Sequence, residues 1–173
     1  MLFRSTLTAL AQIQQLGFQP SDVKHILVSH LDLDHAGGIS DFPQATIHIL
    51  SSEYNAAQKL SMMNKLRYRP QQFKNHRHWN FLEPKNGESW FNFHKVQGFH
   101  MFNDEILLIP LLGHTTGHCG IAIKQHNGWV FFCGDAYYSH LELDPNHKLP
   151  LLDKLERLFA ENNTARLKTL SDR

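Results

Sequence analysis

The sequence predicts an α/β layered domain, and three features carry that expectation. Segments with helical periodicity alternate with short apolar runs rich in β-branched and aromatic residues. The 173 residues suffice for one domain with a hydrophobic core, expected to span 1–173. Hydrophobic residues make up 42% and charged residues 19%, a globular balance, with no internal repeat or low-complexity linker.

The elements follow in order. Residues 5–16 read as a helix, with Leu7, Leu10 and Ala11 at helical spacing, Ser5 or Thr6 as cap and Gly17 as stop. Pro20-Ser21-Asp22 reads as a turn or short helical start. Residues 25–29 are a short apolar run suited to a buried strand, and 46–50 a second one. Ser51 or Ser52 then caps a helix reaching about Leu60. From Glu88 onward short strands are expected at 90–94, 105–109, 119–124 and 129–133. His126-Asn127-Gly128 reads as a hairpin turn. A loop at 145–150, an amphipathic helix at 151–160 and a further helix at 164–170 complete the chain.

The formal net charge of +1 gives no electrostatic case for nucleic acid or an acidic membrane. Residues 62–80 are locally basic, through Arg67, Arg69, Lys74 and Arg77, with Tyr68, Phe73 and Trp79 interleaved. They read as a surface excursion that packs its aromatics and solvates its cations. No apolar run reaches bilayer length and no signal peptide is recognised, so a cytoplasmic protein is expected. Cys119 and Cys133 read as small strand hydrophobes, not a disulfide framework.

The unusual count is that of histidine, at 13. Spacing decides which of these matter. His30-x-Asp32-x-Asp34-His35 sets four metal-ligand types in six positions, directly after an apolar strand. The plainer reading is a polar loop with solvated charges, but four such residues at one strand end favour metal. Gly113-His114-Thr115-Thr116-Gly117-His118 and Gly134-Asp135 repeat the arrangement at two further strand ends.

In that order, the three motifs resemble the metallo-β-lactamase superfamily over about residues 12–136. The resemblance implies an αββα sandwich with the metals at one edge of two sheets. It also implies two divalent metals, Zn2+ first with Fe or Mn as alternatives. One would be held by His30, Asp32 and His114, the other by Asp34 and His35, with Asp135 bridging. His118 is expected to support the site by hydrogen bonding. Among family members the similarity is greatest to lactonases that open N-acyl homoserine lactones, where a tyrosine contacts substrate as Tyr138 would here. The implied reaction is attack of a metal-bound hydroxide on a lactone or ester carbonyl, with Asp34 passing a proton to the leaving oxygen and Tyr138 stabilising the oxyanion.

Two departures matter. Asp32 stands where the family usually has histidine, and its added negative charge should weaken the metals as Lewis acids. The chain is also expected to be an incomplete copy, shortened at both ends, with open sheet edges that invite self-association. Readings kept open are a thioester or phosphoester hydrolase of the same fold, and a non-catalytic metal-binding remnant. The expected partner is a small ester or lactone, with no nucleic acid and no membrane.

Overall fold

The computed structural model describes residues 5–59, 61–84, 88–144, 146, 151 and 160–171. Most of the expected loop at 145–150 and of the expected helix at 151–160 lies outside them. The chain divides into two compact units. One comprises Met1–Ile49 and Tyr54–Leu82, the other Leu50–Glu53 and Glu83–Arg173.

The first unit opens with a 3-10 turn at Ser5–Leu7 and helix α1 at Ala9–Gln15. The expected cap at Ser5 or Thr6 moves to Thr8, whose Oγ1 accepts from Ala11 N at 3.2 Å. Thr8 is the residue with extended backbone, as a cap requires. Strands β1 (His25–Leu27) and β2 (Thr46–Leu50) pair in parallel, Ile26 opposite Ile47. β2 runs directly into α2 (Ser51–Ala57), so Ser51 and Ser52 belong to its first turn.

The expected excursion at 62–80 is more ordered than its composition suggests. It forms α3 (Met62–Arg67), a 3-10 turn at Pro70–Gln72 and β3 (Trp79–Leu82), which completes a three-stranded sheet in the order β1-β2-β3. Tyr68 and Phe73 are buried with Val28, Leu31, Ala36, Ile39, Ile47, Ile49 and Ala57 in one core. The aromatics pack, as expected. Arg67 is a correction, because it is not solvated but paired with Asp32.

The second unit is built on a five-stranded antiparallel sheet in the order β4-β5-β6-β7-β8. Its strands are β4 (Glu88–Trp90), β5 (Phe93–Gly98), β6 (Ile106–Pro110), β7 (Cys119–Gln125) and β8 (Gly128–Phe132). The single strand expected at 90–94 is instead a hairpin, with Phe91 at a φ of 49° in the turn between β4 and β5. Left-handed backbone at that position suits the turn of a hairpin. The expected turn between β7 and β8 is present, Gln125 facing Gly128 across His126 and Asn127. Val96, Leu107, Ile109, Leu111, Ala122 and Ala136 form this unit's core, with Trp90, Phe93, Trp129 and Phe131 packed against it. Cys119 is fully buried in β7, where burial and then the charge of Glu53 push its thiol far above its ordinary range. Cys133 follows β8 and is only half-buried, less enclosed than expected. The last described element is α4, at Asn163–Ser171.

Among the described residues no helix is long and apolar enough to cross a membrane.

Candidate metal-ligand clusters

In the first unit the motif loop leaves β1 and is folded by its own backbone. The N–H groups of His35 and Ala36 both donate to Asp32 O at 2.9 Å, closing a tight turn. Leu31 and Ala36 are fully buried and anchor the loop in the core. His30 is fully buried too, and its ring lies 4.0 Å from that of His35, centroid to centroid.

Ring-nitrogen partners show how these side chains are oriented. His30 Nδ1 lies 3.0 Å from Ser29 Oγ, and His30 Nε2 lies 3.6 Å from Asp32 Oδ2. His35 Nε2 is 3.8 Å from Asp34 Oδ2, and the Asp34 side chain is 70% exposed. The same Asp32 oxygen accepts from Arg67 Nη1 at 2.6 Å. The charge that sequence reasoning assigned to Asp32 therefore does not stand alone.

In the second unit His114 and Asp135 come from the loops after β6 and β8. His114 is buried, with Nδ1 2.8 Å from the Tyr138 hydroxyl and Nε2 3.4 Å from Asp135 Oδ2. His118, fully buried, accepts from Asp135 N through Nε2 at 2.9 Å. Its Nδ1 must then carry the proton and donates to Leu111 O at 2.8 Å. His118 thus fixes the backbone of Asp135, a supporting role of the kind expected for it.

Two residues that the sequence reading missed hold the loops that carry His114 and Asp135. Glu53, fully buried in the first turn of α2, accepts from Thr115 Oγ1 at 2.6 Å and from Gly117 N at 3.1 Å. A side chain at Gly117 would collide with the Glu53 backbone, so only glycine lets the loop approach. Arg166, on α4, is fully buried and pairs with Glu142 at 2.7 Å. It donates to Ala136 O at 3.2 Å and stacks over the Tyr138 ring, 4.6 Å from its centroid. Glu142 in turn accepts from Tyr138 N at 3.0 Å. The only advance signal for Glu53 was an acidic residue in the first turn of a helix after a buried strand; for Arg166 there was none.

The imidazole–carboxylate distances have a chemical meaning. A charge-assisted hydrogen bond would bring such atoms to about 2.7–2.9 Å. Two donors on one tetrahedral ion, each about 2.0–2.1 Å from it, lie roughly 3.3–3.5 Å apart. The 3.4 Å of His114–Asp135 and the 3.6 Å of His30–Asp32 fall near the second value. The 3.8 Å of His35–Asp34 is wider and belongs to the more exposed pair. Imidazole and carboxylate donors so spaced suit a divalent cation.

Comparison with known proteins agrees with this chemistry. The family model of the metallo-beta-lactamase superfamily matches residues 2–171. A probable metallo-hydrolase of Mycobacterium tuberculosis is 36% identical over 162 residues, covering 93% of this chain and 52% of the relative. An N-acyl homoserine lactonase of Bacillus cereus is 29% identical over 128 residues, 73% of this chain and 44% of the relative. The chain thus spans about half the length of the curated relatives it matches. Among solved structures, a mutant of AiiA from Bacillus thuringiensis with N-decanoyl-L-homoserine bound at its active site superposes with a TM-score of 0.72. It is 20% identical, and the match covers 98% of this chain and 57% of that one, a likeness of fold.

Proposed function

The chain belongs to the metallo-β-lactamase superfamily, and from that premise we propose that it carries the ligands of a metal-dependent hydrolase acting on lactones or related esters. The observation that carries the proposal is the set of three imidazole–carboxylate pairs at 3.4–3.8 Å. His30, Asp32, Asp34, His35, His114 and Asp135 are proposed as ligands of two divalent metals, Zn2+ first. When bound, the metals supply Lewis acidity and an activated water.

The chain's own residues do the rest. Ser29 Oγ and Tyr138 Oη engage the Nδ1 atoms of His30 and His114 and hold each ring with Nε2 toward its carboxylate. A ring that ligates through Nε2 keeps its proton on Nδ1, so Tyr138 accepts from His114 there. The phenolic proton of Tyr138 then remains available to a substrate oxyanion. The Asp34 carboxylate is open to solvent and suited to carry a proton to a leaving oxygen. A lactone is favoured over other esters because relatives such as that of Bacillus cereus are N-acyl homoserine lactonases.

The test is metal content per chain for the wild type beside His114→Ala and Asp135→Ala, followed by hydrolysis assays. Both substitutions should lower the content, Asp135→Ala at both sites. Unchanged content would remove the ligand assignment. A fully loaded protein that leaves an acyl homoserine lactone intact but cleaves a thioester or phosphoester would replace the substrate class. Failure to cleave any ester would leave a non-catalytic metal-binding protein.

A further inference from the structure

We infer that Arg67 is a positioning residue for the metal site, and that Asp32 and Arg67 act as one charge-compensated unit in place of a neutral histidine. The inference rests on the ligand assignment proposed above. It starts from an oddity of the motif: a carboxylate where a neutral ring is usual adds a full negative charge beside His30. Left alone, that charge would raise metal affinity and blunt Lewis acidity.

The fold does not leave it alone. Arg67 Nη1 donates to Asp32 Oδ2 at 2.6 Å, with the two side chains only 12% and 13% exposed. At that exposure the pair is screened far less than a surface ion pair. The contact is also built in at the backbone. Asp32 and Tyr68 form an isolated antiparallel bridge, and Leu33 N donates to Arg67 O at 3.2 Å. Gln72 Nε2 donates to Leu33 O at 2.9 Å. Residues 67–72 are therefore laced to residues 32–33, and buried Tyr68 pins the lacing to the core. A side chain that merely found a nearby counter-charge would not need these two further attachments, the bridge and the Gln72 contact.

Charge arithmetic gives the consequence. Asp32 contributes −1 and Arg67 +1, so the pair presents the same net charge as a neutral imidazole. Histidine placed at 32 while Arg67 remains would face a guanidinium that has lost the carboxylate 2.6 Å from it. It would turn toward Arg67 or hold a cation less well, because a fixed positive charge a few ångströms away repels a divalent ion. The two positions are thus expected to be replaceable together and not singly.

The experiment is a double-mutant cycle on metal affinity. Zn2+ affinity is measured by competition with a chromophoric chelator for the wild type, Asp32→His, Arg67→Gln and the double variant. The visible spectrum of bound Co2+ reports ligand geometry, and thermal melts of the metal-free proteins report folding. Arg67→Gln keeps a donor for Asp32 while removing the charge, which protects the fold; Arg67→Met is the second neutral variant should that chain not fold. Asp32→His alone should lose about tenfold or more in affinity. The double variant should return to within about threefold of the wild type, with a tetrahedral Co2+ spectrum. Arg67→Lys on the Asp32→His background retains the charge and should not rescue. Equal losses from Asp32→His with and without the change at 67, in a wild type that binds metal normally, would overturn the inference and leave the proposed function standing. A wild type that binds no divalent metal would overturn both.

Discussion

The two units hold the proposed metal ligands by different means. In the first, the motif His30–His35 is a short loop folded by its own backbone and tied by Ser29 and Arg67. In the second, His114 and Asp135 lie in loops held by Glu53 and by the buried Arg166–Glu142 pair. Local folding is economical but leaves Asp34 largely in water. Long-range support is rigid, and each charge in it becomes costly to remove. The second unit should therefore lose stability steeply when one support goes, while the first should mainly lose metal.

The sharpest way to break that contrast is at Arg166. Its side chain and that of Glu142 are 1% and 0% exposed, so Arg166→Met leaves a carboxylate buried without its guanidinium. The expected cost is about 3–5 kcal/mol, read from urea unfolding of the metal-free protein. A loss below about 1 kcal/mol, the range of a surface pair, would mean that the clamp carries no weight. Next comes Glu53→Ala, which strands the Thr115 hydroxyl and the Gly117 amide inside the protein. At about 1–3 kcal/mol for each donor, less whatever an entering water restores, roughly 2–4 kcal/mol is expected. The same unfolding measurement decides it.

Smaller effects compare the units directly. Tyr138→Phe removes the hydroxyl on His114 Nδ1, and Ser29→Ala the one on His30 Nδ1. Each should weaken metal binding by about 10–100-fold, the usual effect of removing a partner from a ligating histidine. If the contrast holds, Ser29→Ala is the milder change, because the His30 loop keeps its backbone turn. A larger loss at Ser29 would reverse the assignment of rigid and yielding halves.

This difference also explains what could be read from sequence. The motif His30–His35 announces itself because its ligand types are contiguous and follow an apolar strand, and β2, β6, β7 and β8 were legible from alternation and an Asn-Gly turn. The loop at 113–118 was recognisable by resemblance, but not what holds it. Glu53 lies 62 residues from Thr115, and Arg166 24 from Glu142, separations that no periodicity reports. Arg67 was misread for a related reason: a basic stretch looks solvated until one of its cations finds a buried carboxylate 35 residues away. The hairpin at Phe91 was hidden because an aromatic residue at positive φ gives no turn signal. Lactonase-type chemistry was suggested by the motif set together with Tyr138.

The last difference is in how each unit responds to protons. The second unit buries a charge pair, Arg166 with Glu142, whereas the first carries a hydrogen-bonded chain through the buried His48. His25 Nδ1 lies 3.0 Å from His48 Nε2, and His48 Nδ1 is 2.9 Å from Asn80 Nδ2. With the Asn80 amide as donor, His48 Nδ1 must accept, and the remaining proton sits on Nε2 toward His25. Burial first, and then the neighbouring His25, lower the pKa of His48 below its ordinary 6.5. The unfolded chain therefore takes up this proton more readily than the folded one. Stability from His48 is fully present above pH 6.5 and is lost as pH falls below that value toward the depressed folded pKa. His48→Gln should flatten this dependence by no more than about 1.4 kcal/mol per pH unit, the limit for one proton. Urea midpoints of the metal-free wild type and variant between pH 5 and 8 make the comparison. Parallel curves would mean that buried His48 is proton-silent, and that acid sensitivity does not separate the two units.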